Sequence, residues 1–449
     1  MDAPSRSGIA PAGNPTDLRP ALVAIGGGVL LFALAWVALR WLFAAGLWGP
    51  VPPADDVNLY QSYAILLGRG ELPYRDFRVE YPPVSLAAFA VPRWIAGSGA
   101  GIDAYRAAFE TVMLACGLLM TGYVVMTAWR LGASRRRLAL VALLVGSSPL
   151  LLGPVIQGRY DLFPAALTVA AIAAAVADRP RLASFIIALA IMAKVYAVVL
   201  VPLLVIDLWR RAGRREAVIS AVVVGATCAA VLAPFLVAAP EATIRAFTNL
   251  ANRPLQAETL AAAALFALQS LGLLELRTLT VANSVTVAGS PAAELLAVQT
   301  IALVAALGLV YLRFAGGRGG SPNVAGTGEG TGPAAFVLVA AAAVTVFVAL
   351  GKILSPQYLV WLIPLVPLVA GRRGVAAMAA LALALVLTSV FFPGGYFAFV
   401  SGDRLLAWVV LARDLTLVGL VVILLGPERW FAAPADAAGR TDAAAGASA

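Results

Sequence analysis

The stretch ALVAIGGGVLLFALAWVALRWLFAAG, residues 21 to 46, decides the fold class, because Arg40 is the only charge in it. A hydrocarbon core about 30 Å thick is crossed by about 20 helical residues, so this run reads as one membrane crossing. Similar runs of Ala, Leu and Val recur along the 449-residue chain, of which 61% is hydrophobic and 12% charged, with a mean hydropathy of +0.91. The runs do not alternate apolar with polar residues, which excludes a transmembrane barrel. What remains is an all-α, polytopic membrane protein.

The net charge of +9 does not indicate nucleic acid, because the basic residues sit in short loops between apolar runs, as the positive-inside rule expects. No histidine is present, so acid–base chemistry falls to carboxylates, Lys, Tyr or water. Cys116 and Cys228 lie inside apolar runs and read as small hydrophobes. Residues 1–20 read as a polar cytoplasmic tail, residues 21–430 as the transmembrane domain, and residues 431–449 as a disordered cytoplasmic tail. The Gly-rich stretch 316–333 reads as a flexible cytoplasmic linker. It lacks the GK[ST] ending and the flanking strand of a phosphate loop.

Crossings are expected at about 21–46 and 104–129, separated by a long first outer loop at 47–103. Arg130, Arg135, Arg136 and Arg137 place the following loop in the cytoplasm, with DRPR at 178–181, WRRAGRRE at 209–216 and GRR at 371–373. Both of the middle two cannot be cytoplasmic unless the apolar stretch between them folds back. It therefore reads as a hairpin of two short helices turning near Lys194 and Tyr196. Further crossings are expected at 217–238, 292–314, 333–350, 357–371, 375–391 and 405–426. The total is about 12, with both termini inside.

On that topology, the polar residues outside the basic loops gather on the extracytoplasmic side. The first outer loop carries Asp55, Asp56, Tyr60, Arg75, Asp76, Glu80 and Tyr81; GRYD carries Arg159 and Asp161; NRPLQAE carries Arg253, Gln256 and Glu258; GKILSPQY carries Lys352, Gln357 and Tyr358. Charges at the membrane boundary are costly unless they line a shared wet cavity. Mixed carboxylates and cations there suit an anionic lipid-linked substrate and proton transfer at a hydroxyl.

The stretch ADDVNLYQSYAILLGRGELPYRDFRVEYPP at 54–83 resembles the signature loop of glycosyltransferase family 87, polyprenyl-phosphate-sugar-dependent enzymes of the GT-C superfamily. RPLQAE and KILSPQYLVW resemble further blocks of the same family, so the resemblance covers roughly residues 50–370. It implies a GT-C type helical bundle and a mannosyltransferase-like, inverting transfer at the extracytoplasmic face of the plasma membrane. The donor would be a polyprenyl-phosphate sugar and the acceptor a lipid or glycan. It also implies a carboxylate base in the first outer loop, and the matching residue is Asp56, with Asp55 beside it.

Apolar residues at 59, 60, 63, 64 and 67 give helical spacing just after this pair, so Asp56 is either the base or the cap of a surface helix. The leaving phosphate needs cations. Lys352 and Arg253 are the first candidates, followed by Arg159 and Lys194, each of which otherwise reads as a snorkelling or ion-paired boundary residue. Arg75, Asp76, Glu80, Tyr81, Tyr60, Gln256, Glu258, Gln357 and Tyr358 are candidates for sugar or acceptor binding; Glu80 and Asp76 otherwise pair with Arg75 and Arg78. Tyr81 precedes Pro82 and Pro83, which shape the turn. The carboxylates show no metal-ligand spacing and the chemistry requires no cofactor; a divalent metal stays open as an alternative that no motif supports. The alternative reading is a transporter or flippase of lipid-linked glycans, which the one-sided clustering of charge and the lack of an internal repeat disfavour.

Overall fold

The computed structural model describes residues 17–49, 55–281, 284–317 and 332–431. The two expected tails fall largely outside the described residues, as does most of the Gly-rich stretch at 316–333. The chain runs through α1 (Arg19–Ala44), α2 (Val57–Gly68), α3 (Ser85–Ala96), α4 (Ile102–Arg130), α5 (Arg135–Leu152), α6 (Val155–Gly158), α7 (Leu162–Val176), α8 (Pro180–Ala193) and α9 (Val201–Arg211). It continues with α10 (Arg214–Ala238), α11 (Pro240–Ala251), α12 (Leu260–Ser270), β1 (Arg277–Val281), β2 (Ser284–Ala288), α13 (Ser290–Ala315), α14 (Pro333–Leu350), α15 (Gly371–Phe391), α16 (Tyr396–Val400) and α17 (Arg404–Leu425). Helix starts follow local chemistry. Ser134 accepts the Arg137 N–H and Asp403 the Leu406 N–H, each satisfying a first-turn donor that no helical carbonyl reaches.

Among the described residues, seven helices, α1, α4, α10, α13, α14, α15 and α17, are long and apolar enough to cross a membrane. Hydrophobicity alone does not tell centre from periphery, because all of these helices are apolar on every face. Burial separates them: α14 is 78% buried, whereas α10 and α13 are 6% and 11% buried. The Ala-rich sequence of α14 lets neighbours approach on all sides. Val298, Ile301, Val304 and Leu312 of α13 instead point outward, which water would penalise and lipid does not.

One end of the bundle gathers the arginines of the short loops. Arg137 donates to the carbonyls of Pro367 and Val369, Arg211 pairs with Asp178 at 2.7 Å, and Arg181 with Glu216 at 2.9 Å. Arg210 donates to Phe314 O, Arg313 to Leu425 O, and Arg373 to Gly426 O. The ends of α5, α8, α9, α13, α15 and α17 thus meet at a single basic layer, as the loop charges predict. The Arg211–Asp178 pair also brings the end of α9 back to the start of α8, so the expected hairpin at 182–208 is present. Its tip is not a simple turn: Val195–Leu200 is a 3-10 helix.

The structure changes or sharpens four expectations. The crossing read at 357–371 is not an α-helix but two 3-10 segments, Pro356–Trp361 and Val366–Leu368. Pro356, Pro364 and Pro367 have no N–H to give, and the backbone closes i to i−3 bonds such as Leu362 N to Leu359 O at 3.1 Å. Leu359, Val360, Leu362 and Ile363 are fully buried, which is the condition for irregular backbone at membrane depth. The first outer loop at 47–103 holds α2, the helix expected after Asp56, and a further helix, α3. The stretch at 239–291 folds into α11, α12 and an antiparallel β1–β2 pair in which Leu279 faces Thr286. Finally, α8 and α9 are the two short helices expected of the hairpin, and of the total of about 12 the described residues give seven helices of crossing length, with others, such as α7, of only 10–17 residues.

Candidate active site

The end opposite the basic layer holds the candidate residues. Asp55 and Asp56 both precede α2, and the structure divides their roles. The Asp55 carboxylate accepts the Val57 N–H at 3.1 Å and pairs with Arg106 of α4. Asp56 occupies the cap position but makes no capping bond with its side chain. Its carboxylate instead pairs with Arg159 and accepts from the phenols of Tyr81 at 3.2 Å and Tyr60 at 3.4 Å. Burial raises the pKa of both phenols, so at neutral pH they remain donors. Tyr60 reaches this position because its ring stacks on Phe89 of α3 at 4.3 Å and meets Tyr160 edge-on at 5.7 Å.

A second layer lies behind. Asp161, 1% exposed, accepts from Lys194 Nζ at 2.6 Å and from Trp361 Nε1 at 2.7 Å. Lys194 also lies 4.6 Å from the centre of the Tyr160 ring and 5.4 Å from that of Tyr358. The hairpin tip is therefore a cation held by a carboxylate and an aromatic cage.

The third contribution comes from NRPLQAE and GKILSPQY, which lie side by side. Gln256 N donates to Lys352 O at 3.2 Å, and Gln256 Nε2 to Ser355 Oγ at 3.1 Å. Ala257 N donates to Val285 O and Val287 N to Leu255 O, both at 2.9 Å, so the RPLQAE segment is pinned along β2. Gln299 of α13 donates to Gly351 O and accepts from Ala261 N, fixing the residue just before Lys352. Arg253 reaches Glu80 at 3.5 Å, which ties this loop to the first outer loop. Glu258 is 2% exposed, and burial pushes its carboxyl up to about 7. Arg159 lies within electrostatic range of the carboxylates of Asp161, Asp55 and Glu258, one from each layer.

A family profile, glycosyltransferase family 87, matches residues 80–328, more than half of the chain. The chain belongs to glycosyltransferase family 87. A comparison with curated proteins gave no match. The family match takes in Glu80, Tyr81, Arg159, Lys194, Arg253, Gln256 and Glu258. Asp56 lies upstream of it, and Lys352, Gln357 and Tyr358 lie downstream. For a glycosyltransferase the cluster offers what the chemistry uses: ionisable oxygens beside cations, with donors on rigid elements. Among the described residues no three His, Cys, Asp or Glu side chains gather as a metal-ligand set.

Not every expected residue joins the cluster. Arg75 and Asp76 pair with each other at 2.8 Å and line a separate cavity of about 340 Å³ with Arg78, Arg245 and Asn249. The hydrogen bond from Arg75 holds the exposed Asp76 carboxyl below its usual range. A larger cavity of about 470 Å³, lined by residues such as Leu47, Trp48, Leu150 and Val386, carries no titratable group. Conversely, Arg106, Trp361 and Tyr396 belong to the site's surroundings without having been singled out by sequence. The alternation TLTV and SVTV at 278–287 was the available signal for the strands that pin the RPLQAE segment.

Gly158 shows how tightly Asp55 is seated. A Cβ added there would lie 2.5 Å from the Asp55 Cβ, closer than two carbons approach. A Gly158→Ala substitution is therefore expected to push the Asp55–Asp56 segment away from α6 and lower glycosyl transfer by about tenfold or more, given the sensitivity of such geometry to about 1 Å shifts. Initial rates of the reconstituted variant, with Gly122→Ala as an unhindered control, check this; a Cβ at Gly122 meets nothing within 4 Å.

Proposed function

We propose that this glycosyltransferase moves a sugar, mannose by resemblance, from a polyprenyl-phosphate donor to a hydroxyl of a lipid or glycan acceptor, with inversion, on the extracytoplasmic face of the plasma membrane. In this reading the chain is a GT-C type bundle of about 12 traversing segments. Its basic layer and both termini lie in the cytoplasm, because arginine-rich short loops stay there. The observation that carries the reading is the Asp56 carboxylate, which is turned away from the helix it could cap and held by Arg159 and two phenols. Asp56 takes the acceptor proton as the acceptor oxygen bonds to the anomeric carbon. The bond from that carbon to the phosphate oxygen breaks, and polyprenyl phosphate leaves with its electron pair. Arg159, Arg253 and Lys352 offset the charge of the leaving phosphate. Glu80, Gln256, Glu258, Gln357 and Tyr358 hold sugar or acceptor hydroxyls. Lys194 supports the wall through Asp161 and reaches the phosphate only if that pair opens.

The test incubates membranes bearing the protein with radiolabelled polyprenyl-phosphate mannose and endogenous lipids. Label appearing in a new lipid or glycan supports transfer. No transfer from this or other sugar donors, with donor instead moving between leaflets, favours a flippase. Sidedness is checked separately with Arg75→Cys and Arg136→Cys variants in a Cys116→Ser, Cys228→Ser background. An impermeant maleimide on intact cells is expected to label the first and not the second; the reverse result overturns the orientation.

A further inference from the structure

The crossing that ends the described chain carries two charges at its centre. Arg413 and Asp414 are both 0% exposed and lie 2.7 Å apart, nine residues or roughly 14 Å along α17 from its start. Charge buried at membrane depth is costly and persists where it does something. Arg413 does not stop at its neighbour: it donates to the backbone carbonyl of Glu258 at 2.7 Å and lies over the Phe391 ring at 5.3 Å. The segment it reaches is the turn at Gln256–Thr259, where Thr259 N and Oγ1 both donate back to Gln256 O. That turn is already fixed on its other side by β2 and by Lys352 O. Oε2 of Glu258 has no partner among the described residues, although the residue is almost wholly buried.

We propose that Arg413 is a positioning residue of the transfer site, holding the Glu258 turn from inside the bundle, and that its pair with Asp414 sets the charge Glu258 meets. This rests on the glycosyl-transfer reading for its role in activity, but not for its structural part. The charged and titratable groups facing Glu258 are Arg413 and Asp414 from α17, Tyr396 from α16, Tyr358 from the 3-10 segment and Arg159 after α6. Arg413 favours the ionised carboxyl and Asp414 the neutral one. Burial pushes the Glu258 carboxyl up to about 7, so its proton is expected to leave near neutral pH.

Two measurements on the full chain in nanodiscs test this. In amide hydrogen exchange, Arg413→Met is expected to speed exchange at residues 256–259 by about tenfold, while α14 stays protected and Arg413→Lys recovers part of the protection. In the pH profile of transfer, the wild type is expected to show an inflection near pH 7 that Glu258→Gln removes. Arg413→Met moves the inflection up and Asp414→Asn moves it down, each by about a pH unit. Unchanged exchange at 256–259 in Arg413→Met overturns the positioning role, and an inflection that none of these variants moves overturns the electrostatic one. The exchange arm needs no sugar donor, so a wild type that transfers nothing would defeat the functional reading while leaving the positioning role decided.

Discussion

Asp56→Asn is expected to lower the transfer rate by about a hundred- to ten-thousandfold, the range a positioned general base contributes. Asparagine keeps the shape and still accepts from Tyr60 and Tyr81, so binding should change little and the loss should fall on turnover. Asp55→Asn gives the contrast. Its side chain caps α2 through Val57 N and pairs with Arg106; asparagine keeps the capping oxygen, so the expected cost is the roughly 1 kcal/mol of the lost ion pair, with a smaller loss of rate. Initial rates with each variant at saturating donor, normalised to folded protein by size-exclusion profile, separate the two. If Asp56→Asn retains wild-type turnover while Asp55→Asn abolishes it, the base is Asp55 and the division drawn from the cap geometry is wrong. Asp56→Glu should recover little, because the added methylene moves the carboxylate off the position that Arg159, Tyr60 and Tyr81 hold.

Much of this was legible in the sequence, for a physical reason: lipid demands length and apolarity, and short loops keep their arginines on one side. The crossings at 21–46, 104–129, 217–238, 292–314, 333–350, 375–391 and 405–426 correspond to α1, α4, α10, α13, α14, α15 and α17. Even the hairpin tip at Lys194 follows from two basic loops that had to share a side. The segment at 357–371 misled because composition reports burial, not helix type. Its three prolines were the warning, since each removes a donor that an α-helix would use. The site was legible by side and by residue type, but not by pairing. Nothing in the order of residues says that Arg159 chooses Asp56 over Asp55, or that Arg75 and Asp76 turn to each other. The pair Arg413–Asp414 stands openly in LARDLT, yet hydropathy averages it away within an apolar crossing.

The largest effect on stability is expected at Asp161, where removing one carboxylate strands a buried cation. Lys194 has a side chain 13% exposed and takes its counter-charge from Asp161 at 2.6 Å. Breaking a buried pair from one side typically costs about 3–5 kcal/mol, because the remaining charge keeps its desolvation penalty and loses its partner. Against a typical stability of about 5–15 kcal/mol that is a large share. The rings of Tyr160, Tyr358 and Trp361 around Lys194 return part of it, each cation–π contact being worth about 1–2 kcal/mol when desolvated. Asp161→Ala also leaves Trp361 Nε1 without the acceptor it uses at 2.7 Å, which adds about 1–3 kcal/mol and loosens the 3-10 segment where it enters the site. Both single variants should lower the thermal midpoint in detergent, Lys194→Met because it strands the Asp161 carboxylate, 1% exposed, and Asp161→Ala the more because it also takes the acceptor from Trp361 Nε1. The double variant should be more stable than Asp161→Ala alone, since it no longer buries an unpaired charge. Additive losses in that cycle would mean that the two residues do not act as a pair, and that the wall behind Asp56 is held by its aromatic packing alone.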